Sequence, residues 1–278
     1  MRWIVFIGCL LLSVGIYAQT VNGTVIDAKT QKPLPYVQIG VPGKNVGVIS
    51  HDDGKFQIDL SKLETKDTLQ FSMIGYEIEK VSYRIIAGGN YTVQLHIEAR
   101  RLREVQIKGK EIVDLVKLGR FENTKTTTGH SGSDEFGYGG EWGLRIFNDG
   151  KTYQVYDARL HLRFNTVDSV LFRFNIYKVS NDKPGVSLLD KEIFVTSHKK
   201  ENWIIKNLES YNLVINEDII ATYEVVRIWY SKSSDNELFF THGGNYERGG
   251  TYSRKSSFAP WEVNKRSPIT LYITGRIF

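Results

Sequence analysis

The stretch VNGTVIDAKTQKPLPYVQIGVPGKNVGVISHDDGKFQIDL, residues 21–60, decides the fold of the first part of the chain. It contains short alternating apolar runs, and turn-forming clusters such as DAKTQKPLP and VPGKN separate them. A period of two is typical of half-buried strands, and clusters of Gly, Pro, Asn and Asp mark the turns between strands. The stretch therefore predicts short strands of an antiparallel sandwich.

Two adjacent carboxylates, Asp52 and Asp53, precede Gly54 and suggest a metal loop or a catalytic pair. A calcium loop with Gly54 at its sixth position would have no acid at its first, third or twelfth position, so the calcium template fails. As a catalytic pair the two acids lack a partner group. Asp53-Gly54 instead predicts a type I′ hairpin turn with two positive φ angles, which sends Phe56 and Ile58 into the core.

The rest of the chain continues the period of two. TVQLHIE, DARLHLRFN and VLFRFNIYKV alternate, and the last run places Val170, Phe172, Phe174 and Ile176 on one face. The best helical pattern is KEIVDLVKLGR, residues 110–120, which is long enough for two or three turns. An aromatic content of 12% also favours strands. We therefore predict an all-β protein.

Residues 1–19 have the pattern of a signal peptide. Arg2 is the only charge before Asp27, and the apolar run WIVFIGCLLLSVGIYA ends at a small-residue cleavage site at Ala18. A transmembrane anchor is the alternative, although about 20 apolar residues are needed to span a bilayer. Cys9 is the only cysteine. Lipidation at Cys9 would leave a very short apolar region, so we expect a mature chain without a cysteine, a disulfide or a transmembrane span.

A change in composition divides the mature chain. NTKTTTGHSGSDEFGYGG, residues 123–140, contains almost nothing to bury, whereas strand patterns precede and follow it. We predict a first β-sandwich at residues 20–98, a linker with a short helix at 99–137, and a second β-sandwich at 138–278. The formal net charge of +5 would suit nucleic acid, but export argues against that partner.

The first predicted domain resembles the carboxypeptidase-regulatory-like domain. The matching elements are, in order, Gly23, Val25 and Asp27; Pro33-Leu34-Pro35; Val37; Asp53-Gly54 with Phe56; and Ile74-Gly75-Tyr76. The resemblance implies a seven-stranded, transthyretin-like sandwich. In zinc carboxypeptidases this domain is an appendage to a separate catalytic domain, so the resemblance implies no catalysis.

Two further resemblances concern the rest of the chain. LREVQIKG, residues 102–109, is similar to the stretch that joins such a domain to the plug of TonB-dependent outer-membrane receptors, although too few residues follow for their barrel. The second domain more loosely resembles the β-sandwich or jelly-roll segments that follow this domain in exported proteins of Gram-negative bacteria. Neither resemblance names an activity.

A search for chemistry finds no complete catalytic or metal-binding set. His198 and Glu201 have an H-x-x-E spacing, but zinc needs a third protein ligand and the segment reads as a charged turn. The G-x-S-x-G motif is absent. Acid pairs such as Glu217-Asp218 would serve glycoside hydrolysis only at a separation of about 5–9 Å. We therefore predict no metal, no cofactor and no enzymatic activity.

The long segment HGGNYERGGTYSRKSSFAPWEV, residues 242–263, combines aromatic rings with arginines. Such groups suit sugar rings or peptides. The candidate ligand-binding residues are Tyr246, Arg248, Tyr252, Arg254 and Trp261. In the alternative interpretation, Tyr252, Phe258 and Trp261 only cover the core at one end of the sandwich.

Three functions follow from these patterns. The leading hypothesis is an exported, non-enzymatic protein for binding, assembly or adhesion at the outer membrane or cell surface, with an outer-membrane protein, a glycan or a peptide as its partner. The first alternative is an accessory component of a TonB-dependent nutrient-uptake system. The second is a hydrolase whose site lies in the second domain.

Overall fold

The computed structural model describes residues 20–87, 89–98, 115–122, 126–131, 138–230, 237–242, 250–265 and 269–277. The predicted signal peptide, Cys9 and the LREVQIKG stretch lie outside these ranges. Strands contain 56% of the described residues and helices 3%, and the strands form two successive β-sandwiches, which confirms the predicted all-β fold class.

The first domain has seven strands in two sheets. The strands are β1 (Thr20–Asp27), β2 (Gln38–Gly40), β3 (Gly47–Ile49), β4 (Lys55–Asp59), β5 (Thr68–Ser72), β6 (Glu79–Ser82) and β7 (Tyr91–Leu95), with a single-turn helix α1 (Tyr83–Ile86) before β7. One sheet has the order β4-β1-β7 and the other the order β3-β2-β5-β6. Strands β1 and β7 are parallel, and the other pairs are antiparallel.

Alternation in residues 21–60 builds the core of this domain. Val37 and Ile39 are fully buried after the Pro33-Leu34-Pro35 turn, and Phe56 and Ile58 of β4 are 2% exposed. Their neighbours on β4 point to solvent, as the burial pattern of that strand shows. The predicted inward positions are therefore confirmed, because each strand buries one of its two faces.

The turn at Asp53-Gly54 differs from the predicted type I′ hairpin. Only Gly54 has a positive φ, at 74°, and its N–H donates to the carbonyl of His51 at 3.0 Å. This geometry fits a turn whose last residue is left-handed, and it requires glycine because a side chain at Gly54 would also meet the carbonyl of Val25. The turn joins β3 and β4, which belong to different sheets, so the prediction of a paired hairpin was wrong.

The described residues of the second domain form fourteen strands in two sheets of seven. The strands are β8 (Val116–Gly119), β9 (Thr126–Ser131), β10 (Glu141–Ile146), β11 (Tyr153–Asn165), β12 (Ser169–Ser180), β13 (Lys183–Ser187), β14 (Phe194–His198), β15 (Trp203–Asn207), β16 (Val214–Ile215), β17 (Ile219–Trp229), β18 (Glu237–His242), β19 (Thr251–Arg254), β20 (Glu262–Asn264) and β21 (Leu271–Ile277). We call the β13-β12-β17-β10-β19-β20 sheet, with β14 beside β12, the inner sheet. The outer sheet is β8-β21-β11-β18-β9, with β15 and β16 beside β11.

The core of the second domain lies between the inner and outer sheets. Val170, Phe172, Phe174 and Ile176 of β12 are all fully buried in it, as their spacing predicts. Leu160 of β11, together with other residues of the outer sheet, packs against them from the other side. Facing sheets of this kind bury alternate side chains of each strand.

The predicted short helix at residues 110–120 is wrong over its last part. Val116–Gly119 forms β8, which pairs with β21 at the edge of the outer sheet. Val116 and Leu118 pack against the core, while Lys117 between them is exposed, so this segment follows a period of two. Pairing with β21 gives the backbone its hydrogen bonds, and this tertiary contact outweighs the local helical pattern. Residues 110–114 lie outside the described ranges.

The two domains pack directly against each other. Ile49 of the first domain forms an apolar cluster with Leu171 and Val226 of the inner sheet, and the rings of Tyr36 and Phe194 meet at 5.5 Å. The backbones also approach closely, because a Cβ atom on Gly47 would lie 2.1 Å from the carbonyl oxygen of Ser257. The position of Gly47 therefore depends on the absence of a side chain.

We expect Gly47→Ala to loosen the contact between the domains. Its methyl group would collide with the backbone at Ser257, and overpacking of this kind costs about 1–3 kcal/mol. Hydrogen exchange around Ser257 should accelerate while amides in the core of the second domain stay protected. Gly89→Ala is the control, because its Cβ atom meets open space and its only strain is a φ of 124° within the first domain. Equal exchange at Ser257 in both variants would contradict this account.

Candidate functional site between the two domains

Four charged side chains form a row across four adjacent strands of the inner sheet. In register, Arg173 of β12 lies opposite Glu224 of β17, Glu224 opposite Glu141 of β10, and Glu141 opposite Arg254 of β19. We call this set the charge row. Like charges in directly opposite positions destabilise a sheet, so the central Glu141–Glu224 pair depends on the arginine at each end.

Each glutamate of the charge row is held by several donors. The guanidinium of Arg173 donates to Glu224 at 2.8 Å, and that of Arg254 donates to Glu141 at 2.8 Å. Asn175 and Tyr177 also donate to Glu141, at 2.9 and 3.0 Å, and Thr222 adds a short hydrogen bond. A buried charge is tolerated only when it is paired and hydrogen-bonded in this way.

The first domain completes the shell around the charge row. Gln38 of β2 donates its side-chain amide to Glu224 at 2.7 Å, and Arg173 donates to the carbonyl oxygen of Tyr36. Glu192, which forms an ion pair with Arg173 at 2.7 Å, accepts the N–H of Ile74 at 3.0 Å. The row therefore links the two domains by polar contacts at partly buried positions.

Burial and neighbouring charges together shift the pKa values of groups in and beside the charge row. Burial raises the pKa of Glu224, and the charge of Glu141 adds to this, while Arg173 opposes it. Burial alone would lower the pKa of Arg254, but Glu141 outweighs that effect and the net pKa is raised. Burial and then Glu141 also raise the pKa of the Tyr177 hydroxyl well above its ordinary value. Arg254 and Tyr177 therefore keep their protons, and neither exchanges them readily near neutral pH.

A cavity of about 540 Å³ lies beside the charge row, between the domains. The second domain contributes Arg173, Arg254 and Trp261 to its wall, and the first domain contributes the segment from Ser72 to Ile78. Trp261 is half-buried, and the guanidinium of Arg254 stacks over its ring at 4.8 Å. Val186, which is 68% exposed, stands at the rim. Volumes of roughly 300–1,000 Å³ are usual for binding pockets.

Tyr76 in the cavity wall is fixed by Asp27 at the end of β1. The Tyr76 hydroxyl donates to one oxygen of Asp27 at 2.9 Å, while the N–H groups of Lys29 and Thr30 donate to the other at 2.9 and 2.6 Å. The Thr30 amide is the main cause that lowers the pKa of Asp27; burial opposes it, and Tyr76 and Lys29 lower the pKa further. The ionised carboxylate therefore orients this side of the cavity.

The structure brings together two of the five predicted ligand-binding residues. Arg254 and Trp261 both line the cavity. Tyr252 is buried on β19 next to Arg145 and lies outside the cavity wall. Tyr246 and Arg248 lie outside the described residues. A ligand-binding role for these residues stays a prediction.

Sequence reasoning missed the groups that join the cavity to the fold: Arg173, Glu141, Glu224 and Gln38. The signal that could have found Arg173 is the alternation of β12, where Arg173, Asn175 and Tyr177 share the face opposite the core. In an isolated sandwich this face would be exposed to solvent. Arg173 is nevertheless only 2% exposed, because the first domain covers it. A contact between distant segments leaves no local trace in the sequence.

The other acidic and histidine motifs have local structural roles. Glu201 accepts the backbone N–H of His198 at 2.7 Å, which closes the charged turn after β14. Glu217 pairs with Lys178, and Asp218 accepts from Arg145. In the part of the chain that the structure describes, no group of three or more His, Cys, Asp or Glu side chains is placed to hold a metal ion.

Comparisons with known proteins agree with this architecture. Residues 21–107 match the family described as the CarboxypepD_reg-like domain. The first sandwich is therefore a carboxypeptidase-regulatory-like domain, which confirms the resemblance. The match covers less than half of the chain and leaves the second sandwich without a family.

Whole-chain comparisons add little to the family match. No curated protein matches the chain. Among solved structures, it is similar to a chain of "Structure of infectious bursal disease virus Gx strain", at 9% sequence identity and a TM-score of 0.20. The alignment covers 93% of this chain and spans 59% of the viral chain, and at that TM-score it carries no argument. Within the described residues, no helix has the length and apolar character needed to cross a membrane.

We expect Arg173→Met to destabilise the protein by about 3–5 kcal/mol, because it leaves Glu224 buried beside Glu141 with only Gln38 as a donor. The free energy of unfolding in urea measures the loss. Arg145→Met is the matched control, since Arg145 also pairs with two carboxylates, Asp182 and Asp218, but its side chain is 24% exposed. The control should lose about 1 kcal/mol or less. Equal losses in the two variants would show that the charge row has no special role.

We expect Asp27→Asn to change how stability depends on pH. Because the folded pKa of Asp27 is lowered, its contribution is fully present above about pH 4, the ordinary aspartate range, and is lost as the pH falls through the folded pKa. The difference in unfolding free energy between wild type and Asp27→Asn should therefore shrink between pH 6 and pH 3. Tyr76→Phe, which removes one donor to the carboxylate, should weaken this pH dependence in part. A difference that does not vary with pH would refute the assignment.

Proposed function

We propose that the protein is exported and acts as a non-enzymatic binding protein at the outer membrane or cell surface, where it serves binding, assembly or adhesion. Its ligand, a glycan or peptide segment of another surface molecule, enters the cavity between the two domains. The observation that carries the proposal is that cavity, whose wall joins a half-buried indole to hydrogen-bonding groups from both domains.

The chemistry of the wall favours recognition. Trp261, Tyr76 and Met73 offer apolar surface, which suits the C–H faces of sugars or the side chains of a peptide. Gln38, Asn175 and Ser187 add polar side chains around them. The wall thus mixes polar and apolar surface, and polar groups beside apolar surface fix the orientation of a ligand.

The hydroxyl of Tyr177 in this wall is unsuited to acid–base catalysis. A catalytic acid or base needs a proton that it can exchange near neutral pH. The hydroxyl of Tyr177 is held by Glu141 and has a strongly raised pKa, so it does not meet this requirement. Glu192 is held by Arg173 and by the N–H of Ile74. These groups stabilise the fold in the form that the structure describes.

Export and surface location are supported by the sequence and by the family. Residues 1–19 have the pattern of a signal peptide, and the CarboxypepD_reg-like domain that follows is found in exported proteins. The alternative role beside a TonB-dependent receptor stays a prediction, because residues 102–109, which suggest it, lie outside the described ranges. A hydrolase site in the second domain also stays a prediction.

We expect Val186→Arg to abolish ligand binding, because a long charged side chain at this exposed rim position would occlude the cavity. The chain from residue 20 onward is applied to glycan and peptide arrays, and wild type should retain a defined ligand that the variant does not. Ile85→Arg is the control, since Ile85 is 56% exposed on α1 and lies outside the cavity wall. Both substitutions should change the unfolding free energy by less than about 0.5 kcal/mol.

Two results would overturn the proposed site. One is retention of the array ligand by Val186→Arg at wild-type strength. The other is a wild-type chain that retains no glycan and no peptide although its unfolding transition shows a folded protein.

A further inference from the structure

A row of aromatic rings crosses the exposed face of the outer sheet, on the side of the second domain that does not carry the charge row. Phe121, which follows β8, contacts Tyr272 of β21 at 6.1 Å, and Tyr272 contacts Trp203 of β15 at 5.8 Å. We call these three rings the aromatic row. Phe121 is 49% exposed and Trp203 is 36% exposed, while Tyr272 between them is largely covered.

Cations surround the aromatic row. The ammonium of Lys117 stands over Phe121 at 5.3 Å and over Tyr272 at 5.6 Å, and the guanidinium of Arg159 stands over Tyr272 at 5.7 Å. The ring faces attract these cations and hold them beside the row. Arg163, two residues after His161 on β11, extends the positive surface next to Trp203, because His161 and Trp203 are in contact at 4.5 Å.

The charge of this face is unbalanced. Strand register places Lys117 and Arg159 on it, beside the carboxylate of Asp157. Arg163 lies close enough to His161 on this face for its charge to lower the pKa of that imidazole. Asp157 accepts two hydrogen bonds of 2.9 Å from Arg159 and neutralises the charge of that guanidinium. The surface is complementary to an extended negative ligand.

We propose that the aromatic row binds an acidic polysaccharide, with sugar rings against Trp203 and Phe121 and their carboxylates beside Lys117 and Arg163. Exposed aromatic rings offer apolar surface for the C–H faces of sugars. Lysine and arginine form strong charge-assisted hydrogen bonds with carboxylates. The spacing of rings along the sheet matches a ligand that runs across several strands.

Two other partners fit this face less well. Aromatic rings and arginine are also enriched at protein–protein interfaces, but lysine is depleted there, and here Lys117 stands over two of the three rings. Single-stranded nucleic acid also combines stacking with positive charge. Successive bases stack on successive ring faces, however, and Tyr272 between Phe121 and Trp203 is only 5% exposed.

The proposal is tested with polygalacturonate as the probe and fully methyl-esterified polygalacturonate as the neutral control of the same backbone. The chain from residue 20 onward should bind the acidic polymer in titration calorimetry and should bind the ester far more weakly. Trp203→Ala and Phe121→Ala should each weaken binding by about tenfold or more, as is usual for aromatic anchors. Lys117→Gln should weaken binding and reduce its dependence on salt.

Trp229→Ala is the matched control for Trp203→Ala. Trp229 is 38% exposed and also has a guanidinium over its ring, that of Arg227 at 5.2 Å, but it lies at the end of β17 in the inner sheet. This variant should bind like wild type. Val186→Arg should also bind like wild type, so a failure of the proposed cavity function is distinguishable from a failure here.

Several outcomes would overturn the proposal. One is that Trp203→Ala and Trp229→Ala bind polygalacturonate with the same affinity. Another is that the esterified polymer binds wild type as tightly as the acidic polymer does. Wild type could also bind oligo-dT or polyglutamate and not polygalacturonate, which would assign the face to nucleic acid or to an acidic protein segment. Phe121→Ala keeps the proposal testable if Trp203→Ala fails to fold. The exposed ring of Phe121 follows β8 and lies outside the strand pairing, so its removal should leave the fold intact.

Discussion

The buried Glu141–Glu224 pair is the constraint on which the joint between the domains depends. Two carboxylates in opposite positions of neighbouring strands repel each other, and burial strengthens the repulsion. Arg173 and Arg254 at the two ends of the charge row compensate for it, and Gln38 of the first domain supplies a further donor. The first domain is therefore part of the environment that keeps the inner sheet stable.

This joint also determines where the second domain can meet a ligand. The inner sheet uses its polar face to hold the first domain, and the space left beside Arg254 and Trp261 becomes the cavity between the domains. The outer sheet has no such partner among the described contacts, and its face presents the aromatic row to solvent. One sandwich thus presents two surfaces of different chemistry, and recognition at each of them is a proposal.

Local patterns in the sequence predicted the parts of the fold that local physics controls. Alternation placed Phe56 and Phe172 in the two cores, and the ordered glycines, prolines and aromatics identified the first domain. The prediction was wrong at β8, because pairing with β21 overrides a helical pattern. The sequence did not predict the charge row, because its members are far apart in the chain and meet only after the strands pair.

The same limit applies to Asp52, which suggested chemistry in the sequence. Its carboxylate forms an ion pair of 3.0 Å with Arg227 of the inner sheet, so it belongs to the joint between the domains.

The most direct test of this joint is urea unfolding followed separately in each domain. Amide exchange in β11 and β21 of the outer sheet reports on the second domain, and amide exchange in β1 and β4 reports on the first. We expect both signals to change at the same urea concentration; a first domain that unfolds in a separate transition would contradict the account.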